Sequence, residues 1–220
     1  MDVLECIRTR MSVRRFKPDP VPKELLMSII EIAMRSPSYK NSQPWEVAIV
    51  SGKKREALTE LLISHLERGE APKSDLSRPL TWPEEIEKRI NQHIMKRSNF
   101  LGIDVNAPDA QKRARIANFE FYGAPHGIFL YQDSTLTEWS ILDMGMFAQT
   151  LMLAANAYGL GTVPQAYLTD YSKVVKQFLG IPDSKRLILG ISIGYPDKGA
   201  KINSYRSERV KVEEITKWVE

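Results

Sequence analysis

The sequence predicts an α+β fold in which a single sheet is covered by helices, and three observations carry that reading. Short runs such as EVAIV, PHGIFLYQD and RLILGISIGYP are rich in β-branched and aromatic residues and have the length of buried strands. Between them lie segments whose apolar residues recur at helical spacing. All of this occupies 220 residues, 43% hydrophobic and 26% charged, the composition of an ordinary globular chain. Such a chain can bury a core of its own, so a disordered tail, a collagen and a disulfide-framed mini-protein are excluded. The length fits one domain carrying a sizeable insertion.

Taken in order, Val3, Leu4, Cys6 and Ile7 give a short first helix, which breaks into the arginine-rich run RTRMSVRRF and the extended KPDPVP. Pro22 starts the next helix, KELLMSIIEIAMRS, whose apolar stripe runs from Leu25 to Met34. SPSYKNSQPW is a loop by composition, EVAIV a buried strand, and KKREALTELLISHLERG a third helix. From about Glu70 to Arg115, Pro72, Pro79, Pro83 and Pro108 punctuate a charged, partly helical stretch that reads as an excursion over the core. PHGIFLYQD is a strand. SILDMGMFAQTLMLAANAYGLG is a long helix stopped by Gly159 and apolar nearly all round, which predicts burial on every side. TVPQAYL is short and extended, YSKVVKQFLG an amphipathic helix closed by Gly180, and RLILGISIGYP a fully buried strand before an irregular tail.

Charge and cysteine content narrow the function. Thirty-one Lys plus Arg against 27 Asp plus Glu leave +4 with no basic arm, so nucleic acid is not an expected partner. Cys6 stands alone, which rules out an internal disulfide and a cysteine-based zinc cluster and fits a reducing, cytoplasmic location. His65, His93 and His126 have no metal-ligand spacing, so no metal is expected, and each reads as a surface or packing residue. The start MDVLECIRTRM is too acidic for a signal peptide, and the most apolar later stretch is interrupted by Asp143, Gln149 and Asn156, so no membrane association is expected.

Two constellations remain. Arg10, Ser12 and Arg14 alternate, so in an extended segment two guanidinium forks and a hydroxyl share one side and can meet one anion, a phosphate or a flavin edge; a solvated basic surface is the plainer reading. The loop from Ser36 to Trp45 offers short donors and acceptors from Ser, Asn and Gln, held between Pro37 and Pro44, or is simply a polar turn.

Taken together in this order, RTRMSVRRF, SPSYKNSQPW, GLGTVPQAY and GYPDKGAKINSYRSER resemble the FMN-dependent nitroreductase family over nearly the whole chain, and Trp82-Pro83, the run NFEFYGAP and the triplet PQA resemble in particular its nitrobenzene- and nitrobenzoate-reducing branch. The resemblance implies one flavin domain spanning residues 1–220, with a central, mostly antiparallel sheet covered by helices, an obligate homodimer centred on the helix Ser140 to Tyr158, and 70–115 as a substrate lid. It places Arg10, Met11, Ser12 and Arg14 on FMN, with Arg10 near the phosphate and Arg14 near the pyrimidine edge. There, Arg14 would tune the cofactor by stabilising negative charge on the reduced ring. Pro37, Ser38 and Asn41 match positions reaching the flavin from the partner subunit. Pro164, Gln165 and Ala166 match the segment alongside the ring, with Gln165 where several family members carry glutamate. Arg209, with Arg206 or Ser207 beside it, matches the C-terminal phosphate contact. The implied reaction is ping-pong: NADH or NADPH reduces FMN by hydride transfer and leaves, and a nitroaromatic compound then enters and is reduced in two-electron steps. No side chain is required as acid or base, because the chemistry is centred on the flavin.

The same fold would also suit a reductive dehalogenase, an enone or quinone reductase, or a non-enzymatic flavin-binding protein. Two motifs are discounted. Gly190–Gly194, GISIG, has the G-x-S-x-G spacing of a hydrolase nucleophile, but it lies inside a strand and no histidine follows it. Gly159–Gly161 lacks the third glycine of a dinucleotide fingerprint and follows a helix.

Overall fold

The computed structural model describes residues 2–220. Helix α1, Val3–Thr9, starts where the Asp2 carboxylate accepts the N–H groups of Leu4 and Glu5 at 2.8 and 3.0 Å. Helix α2 spans Lys23–Ala33 and buries Leu26, Ile29 and Ala33. It stops before the Ser36 that its stripe suggested, because Pro37 pushes the residue ahead of it towards extended backbone. Strand β1 is Glu46–Ser51, followed by α3, Gly52–Glu67. The excursion contains two helices, α4 (Glu84–Leu101) and α5 (Ala110–Phe119), and Gly102 at φ 71° closes the first. Then come β2 (His126–Asp133), α6 (Glu138–Ala157), β3 (Gly161–Gln165), α7 (Ser172–Leu179) and β4 (Lys185–Gly194). TVPQAYL stays extended only through Gln165; Ala166–Thr169 turns as a 3-10 helix.

The strands lie in the order β1-β2-β4-β3, every neighbouring pair antiparallel. Among the described residues, parallel pairing enters only as isolated bridges, Ser12 with Thr162 and Lys73 with Tyr171. Side chains alternate across the sheet, so Ile128, Leu130, Ile191 and Ile193 pack with Ile29, Phe147 and Leu151 of α2 and α6 on one face. Phe129, Leu187 and Val163 pack with Leu58, Leu62, Phe119 and Val175 of α3, α5 and α7 on the other. Each face is sealed by helices, as the sequence predicts for an α+β protein.

Helix α6 corrects one expectation. Its inner face is buried through Met144, Phe147, Leu151 and Ala155, but Trp139 is 63% and Leu142 59% exposed, and Met146 is also exposed. Within one chain the helix is buried on one side, because the sheet and α2 cover only that side. No helix among the described residues is long and apolar enough to cross a membrane.

Candidate functional site

The site grows from a strap at residues 10–17. Ser12 pairs with Thr162 at the start of β3, and the Val13 N–H donates to the Thr162 carbonyl at 2.9 Å. Further along, the Lys17 N–H reaches the Tyr195 carbonyl at 2.9 Å. Val13 points inward and is buried, so alternation turns its neighbours Ser12 and Arg14 outward, and Phe16 is buried further along. A side chain at Gly161 would put its Cβ 2.6 Å from Val13, which is why the strap can lie so close to β3. Asn203 stitches the strap to the tail. Its Oδ1 accepts the Arg14 N–H at 2.8 Å, and its Nδ2 donates to the carbonyls of Arg15 and Asp197 at 2.7 and 2.9 Å.

Outside the strap lies an open cavity of about 430 Å³ lined by Arg10, Met11, Ser12, Arg14, Arg206 and Arg209. A neighbouring cavity of about 540 Å³ shares Ser12, Arg14, His93, Tyr205 and Arg209 and adds Arg89, Lys96 and Glu208. The N-terminal run and the C-terminal arginine, far apart in sequence, thus meet. Arg209 is held by its own turn, Nη1 donating to Ser207 Oγ at 2.8 Å.

The electrostatics are those of an anion site. Burial, then the neighbouring Arg209, lowers the pKa of Arg10. Burial, then Arg14, lowers that of Arg97 in α4, and burial with Arg97, Arg14 and Arg209 depresses His93. Like charges are therefore packed together, and Glu208, the carboxylate on the cavity wall, is taken by Lys96 at 2.5 Å. A phosphate-bearing ligand supplies what this donor set calls for: negative charge and acceptor oxygens.

The remaining candidate residues fall elsewhere. Pro164 and Ala166 are exposed at the end of β3. Gln165 turns inward: its Nε2 donates to the carbonyl and side chain of Asn118 at 3.0 and 3.1 Å, and its Oε1 accepts the hydroxyl of Ser192. The Gln165 side chain is therefore occupied in the core, and its main chain is what it can offer a ligand. Pro37, Ser38 and Asn41 line neither of the strap cavities. They ride on a loop moored to α6, where the Asp143 carboxylate accepts the Tyr39 N–H at 3.2 Å and Ser36 Oγ donates to Thr150 Oγ1 at 2.8 Å. Lys40, Asn41 and Gln43 all hold left-handed backbone, strain that functional loops often store.

Sequence reasoning missed Asn203, Arg97 and Tyr205, and read His93 only as a surface or packing residue. His93 does lie at the surface of α4, but its ring faces Tyr205 with centroids 5.7 Å apart on the cavity wall. The only signal was the concentration of Arg, Lys and aromatic residues in the excursion and in SYRSER. Ser192 is fully buried and hydrogen-bonded to Gln165, so it is no nucleophile. Cys6 is buried, and its Sγ lies 3.1 Å from the Leu153 carbonyl.

An antiparallel sheet sealed by helices, with a preformed cationic groove where an N-terminal strap meets the C-terminal tail, defines a protein built to hold a phosphorylated ligand at a sheet edge. The chain belongs to the nitroreductase family, whose description matches residues 7–195. It is 35% identical over 215 residues to a 4-nitrobenzoate reductase of Pseudomonas putida, covering 96% of this chain and 92% of that one. The crystal structure of the FMN-dependent nitroreductase NfnB of Mycobacterium smegmatis in complex with NADPH superposes with a TM-score of 0.93 at 33% identity, over 99% of this chain and 98% of that one. The FMN- and NADPH-dependent nitroreductase NfnB of sphigopyxis sp. strain HMH superposes with a TM-score of 0.96 at 28% identity, over the full length of both.

Proposed function

We propose that this protein is an FMN-dependent NAD(P)H oxidoreductase that reduces nitroaromatic compounds by ping-pong, two-electron hydride transfer. The observation that carries the reading is the cationic groove of Arg10, Arg14 and Arg209, in a chain whose relatives over nearly its full length are named 4-nitrobenzoate reductase and FMN-dependent nitroreductase. FMN, when bound, supplies the hydride chemistry, taking a hydride from NADH or NADPH and passing it to the nitro group.

The chain's own residues do the rest. Arg10 and Arg209, packed against each other's charge, hold the phosphate; Met11 and Ser12 line the same wall. Arg14, whose N–H is fixed by Asn203, sets a positive charge where negative charge builds on reduction. The exposed end of β3, Pro164 and Ala166 with the main chain of Gln165, flanks the ring. Pro37, Ser38 and Asn41 serve the flavin of a second copy. The exposed apolar face of α6, Trp139, Leu142 and Met146, supports a homodimer that joins the two half-sites. The excursion acts as a lid: Leu80 is 99% exposed, and Trp82 and Met95 are also exposed, apolar groups suited to an aromatic substrate or a second chain. A single buried free thiol accords with a cytoplasmic location.

The test is anaerobic stopped-flow on the purified protein. It should carry one noncovalent FMN per chain, bleach on mixing with NADPH or NADH, and regain its yellow colour with 4-nitrobenzoate. Protein that takes up no FMN sinks the proposal, and so does bound FMN that neither nicotinamide reduces.

A further inference from the structure

We propose that Asp170 is a positioning residue: one buried carboxylate to which both roots of the excursion, and the Ala166 carbonyl beside the proposed ring site, are moored. This rests on the reading of the excursion as a lid.

The upstream root is tied first by main chain. The Lys73 N–H donates to the Asp170 carbonyl at 2.6 Å, and the Asp75 carboxylate accepts the Leu187 N–H and the Lys176 ammonium, each at 2.9 Å. Arg78 then turns inward. Its Nη2 donates both to the Asp170 carboxylate and, at 2.8 Å, to the Ala166 carbonyl. The next residue is Pro79, where the chain leaves the body of the protein. The downstream root is Arg115 in α5, whose Nε lies 3.8 Å from the other oxygen of the same carboxylate. Both guanidinium groups sit over the Tyr167 ring, at 5.0 and 5.8 Å from its centroid.

Asp170 is 1% exposed, so its carboxylate sits in the interior, with Arg78 and Arg115 closing over it from the surface. Burial raises the Asp170 carboxyl above its ordinary value, and Arg78 and Arg115 offset that only in part, so the two guanidinium groups are what favours its charge. Remove that charge and two guanidinium groups are left facing each other with nothing between them. The roots would then separate, and Ala166 would lose its outside donor. Between the roots, α4 rests on the tail through rings and surface charge, His93 and Phe100 on Tyr205 and Lys96 on Glu208. A lid held that way moves about its two roots, and Asp170 fixes where they are.

Asp170→Asn in the flavin-loaded protein tests this. Hydrogen exchange across residues 79–109 should quicken about tenfold, the change expected when a charge-assisted contact is lost, while exchange in the sheet and the FMN content hold. The KM for 4-nitrobenzoate should rise more than kcat falls, and NADPH oxidation by oxygen should rise relative to nitro reduction. Unchanged exchange in 79–109 overturns the proposal, as does an equal loss of kcat and FMN with KM unmoved. If Asp170→Asn does not fold, Arg78→Gln removes one root from an intact carboxylate and must give the same pattern, or the idea fails. The exchange measurement needs no turnover. Loosened exchange in a protein that no nicotinamide reduces leaves the mooring standing and rejects the function; an active parent with an unmoved variant does the reverse.

Discussion

The strap at residues 10–17 and the part of the excursion between residues 79 and 109 both bring cations to the same groove, yet they are held in opposite ways. The strap is fixed by main-chain hydrogen bonds to Thr162 and Tyr195, by buried Val13 and Phe16, and by Asn203. The excursion presents Arg89, His93 and Lys96 from a helix whose face is largely exposed and whose contacts with the tail are rings and surface charge. Charges on the first are preorganised, and charges on the second can move. The division suits a cofactor that stays and a substrate that comes and goes.

Five experiments can break or sharpen this contrast. The largest effect should come from Met146→Glu, which asks whether the strap suffices without a second copy. A charge on the exposed face of α6 costs about 3–5 kcal/mol if that face is buried between subunits, so dimer and bound flavin should vanish together by light scattering and visible absorbance. A flavin-loaded monomer would confine the whole site to one chain.

Asn203→Ala comes next. It leaves the Arg14 N–H short of a partner, at about 1–3 kcal/mol for a buried group left unpaired, while the Arg15 and Asp197 carbonyls each keep a main-chain donor. Denaturant unfolding and an FMN titration should show lower stability and weaker binding together. Arg14→Ala touches the strap's charge but not its main chain. Losing one charge-assisted contact of about 1.5–3 kcal/mol should lower the flavin reduction potential and slow hydride transfer more than it weakens FMN binding. An unchanged potential would place Arg14 away from the ring.

Scrambling Trp82 to Arg97 tests the mobile half. FMN content and dimerisation should hold, the KM for nitroaromatic acids should rise several-fold more than for neutral nitroaromatics, roughly the effect of one exposed ion pair, and oxidase activity should increase. If all stay at parental values, substrate choice lies with the residues around Pro164.

The smallest effect concerns pH. His126 Nε2 accepts the Val21 N–H at 2.9 Å, so the proton sits on Nδ1, 2.5 Å from Ser51 Oγ, and burial lowers its pKa below the ordinary histidine value. Below about pH 6.5 the unfolded chain binds a proton that the folded state resists. Stability should therefore fall as the pH drops through that value and be flat above it. His126→Gln should flatten the slope in urea melts between pH 5 and 7, and a parental slope in that variant would assign the acid sensitivity to other groups.

By itself the sequence determined the order of elements, since hydrophobic period is local and each strand and helix carries its own pattern from EVAIV to GISIG. It also set the strap's arginines on one side, because alternation follows from extended backbone alone. The family resemblance placed Arg209 with them before any fold was known.

Only the tertiary structure decided the rest. Whether α6 is buried on one side or all round depends on what lies against it, and Trp139 and Leu142 read the same either way. That the Gln165 side chain is taken by Ser192 and Asn118, leaving only its main chain for a ligand, could not be read from the sequence. Asn203, His93 and Arg97 left no periodic signal, because one polar side chain acquires its role from partners far away in sequence. The two roots at Arg78 and Arg115 meet on Asp170 for the same reason: a convergence of three segments is a property of packing, and no local pattern encodes it.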